Sequence, residues 1–461
     1  MTEMAGTSVL PTETIRARVR ELMPQTRTEL AEIVAFASVY DPAAEPPPDC
    51  AEMVEWLLRT FTELGVSDVA AHTTSDGSQA VTGTIPGPEG APTVLLYFHH
   101  DVQPPLDPEA WESPAWTLTE CDGRWYGRGA ADCKGNIAVH LTALRALGGQ
   151  IPLTIKIIGE GSEEQGSGGI EDFVPKHPEL LEADAILILD SGNREVGKPT
   201  LTTSLRGIAN VVVSVETLSS AMHSGMFGGA APDALAALIA MLATLRDEAG
   251  NTTIAGLDSH QEWTGIDYPV DQFRGDATVL DGVDVVGSGS VAEMVWARPA
   301  ATVLGIDAPP VVGSSASVVP AARARINLRV PPGMDPRGAQ DALIEHLRSA
   351  APWNVKVSFE REAIGSPFSG STSGPAFSAL CDSLEAAYGS ETQLQGQGGS
   401  IPLCTVLQET FPDAEIMLFG VEEPRCLIHA PNESVDPSEI ENMAIAEALF
   451  LQDFATRAAK K

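Results

Sequence analysis

Three apolar runs rich in β-branched residues constrain this chain more than any other feature: TVLLYFHHD (93–101), LTIKIIGEG (153–161) and AILILDSG (185–192). Each has strand length and closes on His, Asp or Glu, and the helical pattern KGNIAVHLTALRALGG (134–149) lies between the first two. Strands alternating with helices predict an α/β fold with a mostly parallel sheet covered by helices. Ligands of such sheets bind beyond the carboxyl ends of the strands, so the polar residues closing the three runs are expected to converge on one edge. Carboxylates gathered there repel one another unless cations lie among them. A pair of divalent metal ions accounts for the arrangement.

Helices are expected near 12–36 and 50–64, and this first part of the catalytic domain covers 1–205. The pattern changes after Arg206. IANVVVSVE (208–216) alternates as a half-buried strand and PDALAALIAMLATLRDE (232–248) reads as an amphipathic helix, while ARARINLRV, PRGAQDALIEHLRSA and VKVSFERE give strand, helix, strand between 322 and 362. Together they predict a small α+β domain inserted over 206–370. Residues 250–312 carry no pattern that assigns a helix or strand. The catalytic domain resumes over 371–461 with the helix AFSALCDSLEAAYG, the strand AEIMLFGV and the final helix SEIENMAIAEALFLQDFA.

Charge removes whole classes of partner. A formal charge of −35 argues against nucleic acid and anionic membranes, which require a basic patch. No stretch approaches the roughly 18 uninterrupted apolar residues of a membrane helix. The start of the chain, MTEMAGTSVLPTETIRARVRELMPQ, turns directly into a charged helix with no apolar signal region, and the six cysteines are widely spaced without a CxxC pair. A cytoplasmic protein with reduced thiols is expected.

Hard and borderline metal ligands stand at five places: His99 and Asp101 in FHHDVQPP, Asp132 in GRGAADCKG, Glu163 and Glu164 in GEGSEEQGSGG, Asp190 in LILDSGN, and His429 in LIHAPNES. Imidazole and carboxylate are what zinc, manganese or cobalt take in catalytic sites. Singly, each cluster reads as a turn, a cap or a hydrogen-bonded strand end. His100, next to His99, is expected on the opposite side of its strand.

The strings HxDVQPP, GRGxxDxKG, EGxEExGS, a strand ending in Asp, LRG, HSGxxGG, GGSIP and HxxNE occur here in order between about Leu95 and Glu433. In that order they resemble the di-zinc metallopeptidases that include carnosinases, bacterial dipeptidases, aminoacylases and succinyl-diaminopimelate desuccinylase, and look most like the carnosinase-like dipeptidase branch. The resemblance implies two divalent ions per subunit, zinc with manganese or cobalt as alternatives. One would be held by His99, Asp132 and Asp190, the other by Asp132, Glu164 and His429, with Asp132 bridging. Asp101 would accept the free ring N–H of His99. Glu163 would be the general base of amide hydrolysis.

In the inserted domain, which the resemblance makes a ferredoxin-like lid or dimerisation domain, His223 of AMHSGMFGG would stabilise the oxyanion in the partner subunit of a homodimer. Arg329 of RINLRVPP and Ser400 of GGSIP would hold the C-terminal carboxylate of a small peptide substrate. Cys133 stands where relatives often carry Asp or Asn. The expected activity is dipeptide hydrolysis, the alternative being an N-acyl amino acid amidohydrolase or desuccinylase on the same metals.

Overall fold

A computed structural model describes residues 9–41, 43, 49–399 and 401–458. The chain divides into two compact units, one of Met1–Thr203, Gly370–Gln395 and Pro402–Lys461, the other of Ser204–Ser369 and Gly396–Ile401.

The first unit is built on a mixed sheet whose strands run in the order Ser67–Thr73, Gln79–Ile85, Thr154–Glu160, Thr93–His99, Ala185–Leu189, Glu415–Phe419, Thr200–Leu205. Its four central strands are parallel, and antiparallel strands flank them on both sides. Register sets the site: His99 lies opposite Glu160, and Phe419 opposite Leu189. The carboxyl ends of all four parallel strands therefore finish at one level, and the next residues of each chain segment enter the same space.

The parallel strands Thr93–His99 and Ala185–Leu189 are buried almost throughout, as expected when helices cover both faces. Helix Lys134–Leu147 is buried at every position except Arg145, packed between Thr12–Val34, Pro437–Ala458 and the sheet. That accounts for its all-round apolar sequence. Gly148, with φ at 59°, ends it in the left-handed conformation that side chains disfavour.

The second unit has two helices packed against a four-stranded antiparallel sheet, ordered Ala300–Asp307, Ala321–Val330, Gly207–Glu216, Lys356–Gly365. Chain order is β-α-β-β-α-β with the fourth strand beside the first and the second at the edge, the split ferredoxin-like arrangement. Alternation makes its core: Ala209, Val211, Val213 and Val215 point inward beside Ala324, Ile326 and Leu328. Helix Ala234–Ala243 begins on Asp233, whose carboxylate accepts the amides of Leu235 and Ala236, and helix Pro336–Ser349 begins in the same way on Asp335. Such a cap contributes about 1 kcal/mol.

The unpatterned 250–312 segment contains a short helix, Val270–Asp276, and the edge strand Ala300–Asp307. Pairing with Ala321–Val330 makes that strand, and its outer residues face away from the core, so no local alternation announces it. Among the described residues no helix is long and apolar enough to cross a membrane.

Candidate metal centre

Strand ends deliver the first donors. His99 is the last residue of its strand and Asp190 directly follows Leu189. After Glu160 the chain turns through a 3-10 turn, Glu163–Gln165, which Gly166 closes at φ 98°. Asp101 fixes this turn, because its two carboxylate oxygens accept the amides of Glu163 and Glu164 at 3.1 Å each. Gln103 donates to the Glu164 carboxylate at 2.8 Å. Asp132 comes from the loop ahead of helix Lys134–Leu147, and His429 from the loop after Pro424–Cys426, with φ at 62°. Such a conformation in a non-glycine residue is strained and is kept only where the surroundings impose it.

Asp132 sits between the two histidines. Its Oδ1 is 2.8 Å from His99 Nε2, and its Oδ2 is 3.0 Å from His429 Nε2. A second carboxylate faces each ring: Asp190 Oδ1 stands 3.3 Å from His99 Nε2, and Glu164 Oε2 stands 3.1 Å from His429 Nε2. Donor atoms around a tetrahedral ion at about 2.0–2.1 Å are themselves about 3.3 Å apart. The spacings within this donor set therefore fit divalent metal ions.

Hydrogen bonding alone serves these contacts poorly. His99 Nδ1 lies 3.0 Å from the backbone carbonyl of Asp101, so the ring proton belongs on Nδ1 and the Nε2 lone pair faces two carboxylate oxygens. That is a ligand's orientation. The ring bonds the carbonyl of Asp101 rather than its carboxylate, which is 3.5 Å away and engaged with the two amides.

Charge balance agrees. Burial opposes a proton on His99, yet the Cys133 thiol and the carboxylates of Asp101, Asp132 and Asp190 hold its pKa well above the usual imidazole value. Hydrogen bonds to Asp132 and Glu164 raise that of His429 to about 10. Burial pushes Asp190 up to about 6 against the bond from His99, and burial followed by the charge of Asp190 lifts Glu163 well above the carboxylate range. Asp132 goes the other way, since the bonds from His429 and His99 outweigh its burial. A cluster of this kind must hold protons or cations, and divalent ions displace the protons.

Sequence reasoning assigned no role to Glu433 of the HxxNE string. Fully buried, its carboxylate accepts the amides of Gly129 at 3.0 Å and of Ala131 and Asp132 at 3.1 Å, and the Arg128 guanidinium at 2.6 Å. It is the anchor of the loop that presents Asp132. Glu433→Ala is expected to destabilise the protein by about 3–5 kcal/mol, because it leaves Arg128 buried without its partner. It should also lower the metal content. Denaturant unfolding and elemental analysis check both, and an unchanged unfolding midpoint would refute the anchoring role.

His100 points away from the cluster to the carbonyl of Gln79 at 3.1 Å, and burial lowers its pKa to about 4. Cys133 is buried, donates to the carbonyl of Leu189 at 3.2 Å and lies beside His99 and Asp190. His223 and Arg329 belong to the second unit. His223 ends a two-residue strand paired with Ser317 and Val318 rather than lying in open loop, and its Nδ1 accepts the amide of Gly225 at 3.1 Å. Arg329 lies opposite Ile208 and Ala300 in the sheet. Ser400 lies outside the described residues.

Known proteins are similar to this chain. Residues 95–453 match the model of peptidase family M20/M25/M40. The cysteinylglycine-S-conjugate dipeptidase of Corynebacterium striatum is 44% identical over 93% of this chain and 96% of its own length. The Cys-Gly metallodipeptidase of Schizosaccharomyces pombe is 28% identical over 84% of this chain and 87% of its own. Human carnosine dipeptidase 1 has the same fold, with a TM-score of 0.76 and 23% identity covering 97% of this chain and 99% of that one. A paired set of imidazole and carboxylate donors at the carboxyl ends of parallel strands, with a matching family model over most of the length, places this chain in peptidase family M20/M25/M40, whose metallopeptidases act through divalent ions.

Proposed function

We propose that the chain is a metal-dependent dipeptidase cleaving the amide bond next to a C-terminal residue with a free carboxylate. The observation that carries this reading is Asp132, turning one oxygen to each of two histidines that each face a further carboxylate. His99, Asp132 and Asp190 would hold one ion and Asp132, Glu164 and His429 the other, with zinc preferred and manganese or cobalt possible by donor type. Bound there, the ions would polarise the scissile carbonyl and acidify the attacking water.

Glu163 takes the proton of that water and returns it to the leaving amine. A carboxyl whose burial raises its pKa suits a group that must both accept and give up a proton. Asp101 keeps this base and the ligand Glu164 in register through their two amides. Because Gly225 occupies His223 Nδ1, the ring proton sits on Nε2, giving a donor suited to a tetrahedral oxyanion. Arg329 and Ser400 receive the substrate carboxylate. A homodimer through the inserted unit is favoured by the edge strand Ala300–Asp307, whose Val303, Leu304 and Ile306 are 39, 58 and 45% exposed. All six cysteines are unpaired, in keeping with the cytoplasm.

The names of the relatives put cysteinylglycine, its S-conjugates and β-alanyl-histidine first among candidate substrates. Metal-replete enzyme should hydrolyse this panel with kcat/KM about ten- to a hundredfold above matched N-acyl amino acids, which lack the charged amine and its hydrogen bonds. The reverse order would make the protein an amidohydrolase. Failure to cleave either set with both ions bound would overturn the reading.

A further inference from the structure

We propose that Arg206 and Arg329 together form a two-guanidinium seat for the substrate carboxylate, Arg206 being a buried positioning charge; this rests on the reading of Arg329 given above. Arg206 is only 8% exposed, yet among the described residues no carboxylate pairs with it. The chain treats its other deeply buried arginines differently: Arg124 has Glu423 at 2.7 Å, and Arg128 has Glu433 at 2.6 Å. Among the described residues the Arg206 guanidinium has only two long bonds from Nη1, at 3.3 Å each, to the carbonyls of Met294 and Arg298, and its buried Nε has no partner there.

Arg329 is the nearby charge. Its strand position faces Ile208, two residues beyond Arg206, and no described group pairs with its guanidinium either. Burial first, and then the positive charge of Arg329, lower the pKa of Arg206 to about 10. A buried cation beside a half-buried one, with no acid paired to either among the described residues, is costly, and an anion from outside would offset that cost. Gly398 shows how closely the surroundings fit, because a Cβ at that position would lie 2.9 Å from Arg206 Nη2. A planar carboxylate can take hydrogen bonds from one guanidinium while the second, behind it, adds charge without needing to touch it.

The test compares Cys-Gly with its C-terminal amide on wild type, Arg329→Ala, Arg206→Gln and Arg206→Lys, with kcat and KM separated and melting and metal content recorded. Glutamine can still donate to the Met294 and Arg298 carbonyls but carries no charge, whereas lysine retains the charge. Wild type should favour the acid over the amide by about ten- to a hundredfold in kcat/KM. Arg329→Ala should erase most of that ratio, so its penalty and the amide's do not add.

Arg206→Gln should reduce the acid-to-amide ratio about tenfold, mainly through KM, and Arg206→Lys should restore most of it. If Arg206→Gln slows acid and amide alike, or if neither Arg206 variant folds, Arg206 is a structural group and the proposal is overturned. Loss of the ratio in Arg329→Ala but not in Arg206→Gln overturns this proposal alone. A ratio untouched by Arg329→Ala removes the carboxylate reading of Arg329 and this proposal with it.

Discussion

Glu163→Gln should lower kcat by about 10²–10⁴-fold while two metal ions per subunit remain bound, that range being the usual contribution of a positioned general base. The substitution exchanges one carboxylate oxygen for an amide nitrogen of nearly the same size. The amides of Glu163 and Glu164 still reach the two oxygens of Asp101, so the turn that presents Glu164 keeps its shape. None of the close donor contacts among His99, Asp132, Asp190, Glu164 and His429 involves the Glu163 side chain. Removed is a proton acceptor beside Asp190. Metal content has to be measured on the same preparations as the rate. Loss of ions together with activity would make Glu163 a ligand, and turnover near the wild-type rate would remove it from the mechanism.

Dimers assembled from one Glu163→Gln chain and one His223→Ala chain should recover up to roughly half the wild-type rate, although each parent homodimer is nearly inactive. Glu163 and every proposed metal ligand lie in the first unit, whereas His223 lies in the second, on an exposed two-residue strand, with its ring proton directed to Nε2. If His223 serves the neighbouring subunit, the chain with intact Glu163 receives an intact His223 from its partner, and one complete site results. The opposite site lacks both groups. Co-expression under two affinity tags and purification of doubly tagged dimers isolates the mixed species. Mixed dimers that retain their ions but stay as inactive as the parents would mean that His223 acts within its own chain or plays no part.

Much of the first unit could be read directly from the chain, because a parallel strand covered on both faces is a short, uninterrupted apolar run and its end is marked where polar residues resume. Thr93–His99 and Ala185–Leu189 show this, and so His99 and Asp190 are seen at strand ends before any coordinates are known. The inserted sheet was readable for a related reason, since strands with one buried face alternate with period two. Motif order supplied the rest of the site list, Asp132 and His429 among them, where periodicity says nothing.

Contacts between distant segments were not readable. Ala300–Asp307 becomes a strand only through pairing with Ala321–Val330, and Arg206 looks like any arginine in a turn until burial without an acid singles it out. Glu433, close in sequence to His429, reaches back about 300 residues to hold the Asp132 loop through three amides and Arg128. The amino-acid sequence by itself determined the central strands of the first unit, most of the long helices and which donor types stand at the strand ends. Tertiary structure alone decided that Asp132 faces two histidines, that the Asp101 carboxylate spends its oxygens on the Glu163 and Glu164 amides, and that Arg206 is buried with no acid paired to it among the described residues. The physical reason is range: periodicity and turn chemistry act over a few residues, whereas hydrogen bonding and charge compensation are settled by whichever groups the folded chain brings within about 3 Å.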